Sequence, residues 1–451
     1  MKRNSAIAVG AGVIAAAVLL SGCSSGGGTT ASTAMVSQAD ITKAMNTPTT
    51  LTFWSFAPGM APEIAAFEKK YPKIKVDLVN AGQSAAEYTK LDAALTAGKG
   101  APDVAQLEYS EVPSFTVTNS VVNLAPYGAA SLKDQYTPAA WSYGTSGADV
   151  WGIPQDFGPM GFIYRNDILA KAGITTAPAT WAQFATDAAA VKSKTGSYLA
   201  NFNPTDSPQV LGLIQQAGGI PFAYNGKKTV TVDLESPQVK EVSDYLTKII
   251  QSGDVSVDPG WTDDWFQSVA NGRYAGWVVG AWGPDDLSGT AANTSGKWTA
   301  APMPQWTAGQ NVGGDWGGSV DSVIKGTSHP IQAYEFIKYL NNDSSSATEL
   351  AMNPKSLLFP TKTSVLADPA FASQKVAFFG GQETNTTFSD IAKTVPTGFG
   401  YLPYMDYATS DYINTVGAAI SAKTDIYTAM KKWQNDLVAY GKKQGFTVNA
   451  K

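Results

Sequence analysis

The sequence predicts an α/β fold divided into two lobes. Two observations carry that expectation. Strand-like and helix-like segments alternate over residues 50–107, the pattern of a mainly parallel sheet with helices packed on it. The chain is also long, 451 residues, and the roughly 400 that remain beyond its N-terminal leader and tether exceed what one core usually serves. The single cysteine, Cys23, leaves no disulfide for the body, so packing must hold it together.

The elements follow in order. Lys2 and Arg3 precede an uncharged, apolar run over residues 6–20 that ends in Leu20-Ser21-Gly22-Cys23. The run is too short for a comfortable membrane span, which takes roughly 18 or more residues, and fits a secretory leader. Its end resembles the bacterial lipobox, which implies cleavage before Cys23, residues 1–22 being the signal peptide, and diacylation of the Cys23 sulfur. Small residues follow (SSGGGTTAST, 24–33). They cannot bury enough surface to fold, and residues 23–47 are read as the lipidated cysteine and a flexible tether.

Residues 50–54 (TLTFW) alternate as a strand. A helix over residues 62–71 has Pro62 in its first turn and Pro72 past its end. A second strand covers 74–79, a helix 88–97, and a buried strand 103–107. Ligands on such sheets sit beyond the C-terminal strand ends, so Trp54-Ser55-Phe56 and Glu108-Tyr109-Ser110 fall at one rim. Further on, residues 160–165 and 272–280 read as strands, and 238–250 and 330–340 as amphipathic helices. Thr180 with Gln183 forms a capping-box pattern that makes Trp181 a packing residue. Two helical stretches divide near residues 423–425 of the tail.

Composition narrows the function. Net charge is −5, falls to −7 once Lys2 and Arg3 leave with the leader, and only 15% of residues are charged. No basic stripe exists to hold nucleic acid. One histidine, His329, in a loop before Pro330, and the lone Cys23 argue against a transition-metal site. No Gly-x-Ser-x-Gly elbow is present. No catalytic residue, metal or cofactor is expected.

Six pieces then stand in a telling order: LTFWSF (51–56), APDVAQLEYS (101–110), WGIPQDFGPMGFIYRND (151–167), TWAQFATDAAAVK (180–192), GRYAGWVVGAWGPDDL (272–287) and GGDWGGSVDSVIK (313–325). Behind a lipobox, this order resembles the solute-binding proteins of bacterial ABC importers, in the carbohydrate-binding family that includes maltose-binding protein (family 1). The resemblance implies a two-lobed, periplasmic-binding-protein-like fold with a hinged interlobe cleft and three chain crossings, near residues 156–160, 317–321 and 359–362. Lobe one would be 48–157 plus 320–360, and lobe two 158–318 plus 363–451. It implies capture of a sugar, delivery to permease subunits of an ABC transporter, a lipid-anchored monomer on the outer face of the cell membrane, and no catalysis. The same fold binding a polyol, glycerophosphodiester or peptide, or a secreted carbohydrate-active enzyme, are the alternatives.

Sugars present apolar C–H faces and hydroxyl edges, so a site for them needs flat aromatic surfaces and polar groups that pair hydroxyls. Seven of the twelve tryptophans lie at positions 261–316. Trp282, at the end of the 272–280 strand, and Trp316, beside the second crossing, are expected as stacking platforms. Trp277 reads as core. Trp54 and Trp265 are divided between ligand contact and packing. Glu108, Asp156, Asn203 and Asp206 are candidate hydroxyl acceptors, and Tyr109 and Tyr401 candidate aromatics. Asp285 and Asp286 read as caps of the next helix.

Overall fold

A computed structural model describes residues 35–82, 84–356 and 358–451. The expectations for the leader, for Cys23 and for the start of the tether lie outside the described residues. The end of the expected tether differs from its reading: α1 (Gln38–Met45) is a helix capped by Ser37, with Met45 buried. It is held by Gln332, whose Nε2 donates to the Ala44 carbonyl at 3.3 Å. One buried methionine in a polar octet leaves little periodicity to read.

The central sheet starts from β1 (Thr49–Trp54), whose Leu51 and Phe53 point into the core. α2 (Ala61–Lys70) returns the chain to β2 (Ile74–Val79), which pairs with β1 in parallel. α3 (Ala85–Ala97) ends on Gly98 in the left-handed region, and β3 (Val104–Glu108) joins the other edge of β1, also in parallel. A short hairpin, β4 (Thr145–Ser146) and β5 (Asp149–Val150), precedes the longest strand.

β6 (Ile153–Arg165) is buried along its length apart from a half-buried Asp156. It begins well before the expected 160. Over residues 153–159 it pairs with β11 (Asp315–Val323), and over 160–165 with β9 (Gly276–Gly280) and β10 (Trp298–Pro302), all antiparallel. The sheet order is β10-β6-β11-β3-β1-β2, with β9 also on β6. The expectation of a mainly parallel sheet is therefore corrected: only β1, β2 and β3 are parallel, because β6 and β11 run back antiparallel through the middle. β9 is shorter than the 272–280 reading, since Gly272 turns the chain at φ +77°. A second sheet has the order β12-β8-β7, from β7 (Phe222–Tyr224), β8 (Thr229–Val232) and β12 (Thr447–Ala450).

The helices match their signals. Thr180 Oγ1 accepts from the Gln183 amide at 3.1 Å, and Trp181 packs at the helix start with its indole N–H on Gln216. The tail helices break at Lys423, φ +56°. One buried cluster draws on residues 45–153 and 323–350. The other is centred beyond residue 157 but takes in Tyr109 and Tyr143, so packing is continuous beneath the cleft.

Candidate functional site

The C-terminal ends of β1 and β3 open onto a cavity of about 490 Å³. Phe56, Ala57 and Pro58 follow β1. Gln106, Glu108, Tyr109 and Ser110 line it from β3. Trp316 to Ser319 come from β11, and Asp206, Trp261, Trp282, Asp286 and Tyr401 from the opposite wall. The strand-end placement expected of open α/β sheets is thus met by the chain's own topology.

The indoles form a connected group. Trp282 lies 5.4 Å from Trp316 at 86° between planes, and Trp261 lies 6.2 Å from Trp316 at 85° and 5.7 Å from Trp282. The Trp282 indole N–H donates to the Trp316 carbonyl at 2.9 Å. Trp261 is 44% exposed, and its indole N–H donates to Asp206 Oδ2 at 2.6 Å. Its φ of +67° is rare for a bulky residue, and Ser84, φ +49°, is another such outlier on the same cavity. Strain of this kind persists only where surrounding contacts hold it, and it concentrates at binding sites.

Asp156 Oδ1 accepts the amides of Phe157 and Phe359, both at 2.9 Å. Burial outweighs those two donors and pushes its pKa up to about 7. Asp206 is raised to about 7 by burial, against the Trp261 N–H. Asp286 is raised to about 6 by burial. Glu108 accepts from Ser84 Oγ at 2.7 Å and is raised by burial. Gln106 donates to Ser319 Oγ and accepts from Ser55 Oγ and the Ala57 amide, which fixes the floor. Gly318, φ +119°, lets β11 pass the Asp156 carbonyl, where a Cβ would overlap it.

The cavity brings together Trp282, Trp316, Glu108, Tyr109, Asp156, Asp206 and Tyr401 of the expected residues. Three others sit elsewhere. Trp54 packs against the core from the end of β1. Trp265 is 5% exposed, packed behind Trp261 and edge to face against Trp277 at 5.1 Å. The Asn203 side-chain Oδ1 accepts from the Thr205 amide and hydroxyl, so it shapes its loop. Asp286 makes no cap bond in the helix Gly283–Thr290 and lines the cavity instead. Phe56 and Ser110 line it as their strand-end positions imply, while Trp261, Ser84 and Gln106 were not expected. The one signal for Trp261 is its place in an Asp-Pro-Gly-Trp turn. Among the described residues, no group of three or more His, Cys, Asp or Glu is set to hold a metal ion.

The sequence profile of the bacterial extracellular solute-binding proteins matches residues 54–347. The chain belongs to that family. Its similarities agree. It is 24% identical to the arabinooligosaccharide-binding protein of Halalkalibacterium halodurans over 303 residues, 64% of this chain and 67% of that one. The solved structure of an ABC transporter-associated binding protein from B. animalis subsp. lactis, in complex with β-1,6-galactobiose, superposes with a TM-score of 0.77 at 30% identity, covering 90% of this chain and all of that one. The galacto-N-biose/lacto-N-biose I-binding protein of Bifidobacterium longum gives 0.77 at 24% identity, covering 89% and 98%. The fold is therefore the two-lobed solute-binding fold, and this family member is a binding protein of an ABC importer, not an enzyme. Among the described residues, no helix is long and apolar enough to cross a membrane.

Proposed function

We propose that this solute-binding protein captures a short oligosaccharide in the 490 Å³ cavity and hands it to an ABC permease. The observation that carries this reading is the facing of three indoles with carboxylates and amides at the strand ends. Indoles offer apolar surface to sugar C–H faces, and the carboxylates accept hydroxyls. Relatives named for binding arabinooligosaccharides, lactose and maltodextrin support it. A glycerophosphodiester fits less well, since among the described residues the lining contains acids and no lysine, arginine or histidine.

Capture works by population shift: a ligand that touches both lobes favours the closed arrangement by its extra contacts there. The lobes are proposed as 48–157 plus 320–360 and 158–318 plus 363–451, with β6 and β11 as two of the crossings. The lipobox supports cleavage before Cys23 and lipid anchoring at the outer face of the membrane, with a monomeric body. Anchoring keeps the binder at high effective concentration beside its permease.

Titration of intrinsic fluorescence with a glycan panel tests the sugar reading, because Trp261, Trp282 and Trp316 line the cavity. Saturable quenching or enhancement by at least one di- or trisaccharide is expected. No response to any glycan, with a response to peptides or phosphodiesters, overturns it.

A further inference from the structure

The cavity's carboxylates share an unusual condition. Glu108, Asp156, Asp206 and Asp286 all line it, and each has at least one oxygen with no hydrogen bond among the described residues. None of the four takes part in an ion pair among those residues. The charged neighbours that perturb Asp156 and Asp206 are themselves acids: Asp285 and Glu108 for the first, Glu108 for the second. Uncompensated negative charge in a low-dielectric site is costly, and a cation brought in with the ligand relieves it.

The rings point the same way. Trp316 stands nearly perpendicular to both Trp261 and Trp282, so the three wall a corner and not one flat platform. Indole faces attract cations, and aromatic corners with nearby acids suit a compact ammonium. No lysine or arginine of the described residues lies over any of these three rings. Among the described residues the acids form no group of three or more set to hold a metal ion, and the indole corner suits an organic cation. Tyr109 also lines the cavity, is 1% exposed, and carries a buried hydroxyl with no hydrogen-bond partner among the described residues.

We infer that the ligand is a cationic glycan, a sugar bearing at least one protonated amine, seated at the corner of Trp261, Trp282 and Trp316 against Asp206, Asp286 and Asp156. This rests on the sugar reading above and sharpens it to a substrate class. Neutral sugars satisfy the carboxylates by hydroxyl donation alone. A protonated amine adds both charge neutralisation and the ring interaction. Anionic sugars are excluded by the same acids.

The test uses the full-length protein and matched pairs that differ only in the group at C2: glucosamine with glucose, galactosamine with galactose, and the β-1,4-linked glucosamine disaccharide with cellobiose. Calorimetry at pH 7 should give at least one amine tenfold or more tighter than its hydroxyl partner. That preference should shrink at 0.5 M salt, and should fall several-fold in Asp206→Asn and in Asp286→Asn. The wild-type comparison stands even if a variant fails to fold. If neutral sugars bind and no amine is favoured beyond twofold, the charge inference is overturned while the sugar reading stands. If no sugar of either kind binds, while a non-sugar ligand does, both fall.

Discussion

At the scale of single residues, the site depends on which face of each tryptophan is left uncovered. Trp265 and Trp277 are packed edge to face at 5.1 Å and serve as backing. Trp261, Trp282 and Trp316 are the ones that reach the cavity. Trp282→Ala removes a ring that also holds the Trp316 backbone through its N–H. Buried aromatic anchors of this kind are worth about 2 kcal/mol or more of binding, so affinity should fall about thirtyfold by calorimetry. Trp54→Ala makes the contrast: it takes packing from the core, and should lower the melting temperature while leaving affinity within about threefold. Equal loss of affinity in both variants would mean that the tryptophans act through stability alone. Nothing in the local sequence separates Trp54 from Trp282, since each stands at the C-terminal end of a strand. What separates them is the opposing wall, built from residues more than a hundred positions away.

At the scale of elements, β11 is where backbone conformation and site meet. Gly317 and Gly318 have φ of +79° and +119°, and the register with β6 shifts between Asp315 and Gly318. The irregularity turns Trp316 toward the cavity and lets Gly318 cross the Asp156 carbonyl. Gly318→Ala both strains the backbone and forces that overlap. It should destabilise the protein by ~2 kcal/mol or more, by urea unfolding, and weaken ligand binding together with it. A variant with unchanged unfolding would remove β11 from its role as a fixed support. Local signals made β1, α2, β2 and β3 legible: alternation at Leu51 and Phe53, and prolines at 62 and 72 that punctuate the helix. The cavity-facing Glu108 and Tyr109 at the end of β3 followed from that pattern. The antiparallel return of β6 and β11 did not, because pairing between residues 153–159 and 315–321 is set by global packing and has no local period. Asp286 was misread for a related reason. An acid in a first turn looks like a cap, and only the tertiary position of the helix Gly283–Thr290 shows it turned to the cavity.

At the scale of the whole molecule, the concentration of buried acids sets how stability responds to pH. Asp156, Asp206 and Asp321 are raised to about 7, and Glu87 and Glu111 to about 8, in each case chiefly by burial. Unfolded carboxyls titrate near 4. Between about pH 4 and 8 the folded state therefore holds protons that the unfolded state has lost, and stability falls as pH rises through that window. Exposed pairs such as Glu68 with Lys75 act in the opposite direction, but only at lower pH, where their depressed carboxyls protonate. The unliganded protein should melt at a higher temperature at pH 5 than at pH 8, by scanning calorimetry. Glu87 gives the cleanest dissection. Its side chain is fully buried, both oxygens lack a partner among the described residues, and it does not line the cavity. Glu87→Gln keeps the shape and removes the ionisation, so it should raise stability at pH 8 and lose most of that advantage at pH 5. A variant with the same gain at both values would show that Glu87 is not the group that titrates. Ligand binding then enters the same linkage. A partner that neutralises Asp156 and Asp206 favours their ionised forms, releases protons on binding near pH 7, and flattens the decline in stability toward pH 8. Proton release measured by calorimetry in buffers of different ionisation enthalpy would show it. A sugar that leaves those carboxyls protonated would give no such release, so the whole-molecule pH response reports on whether the cavity's carboxyls are ionised when it is filled.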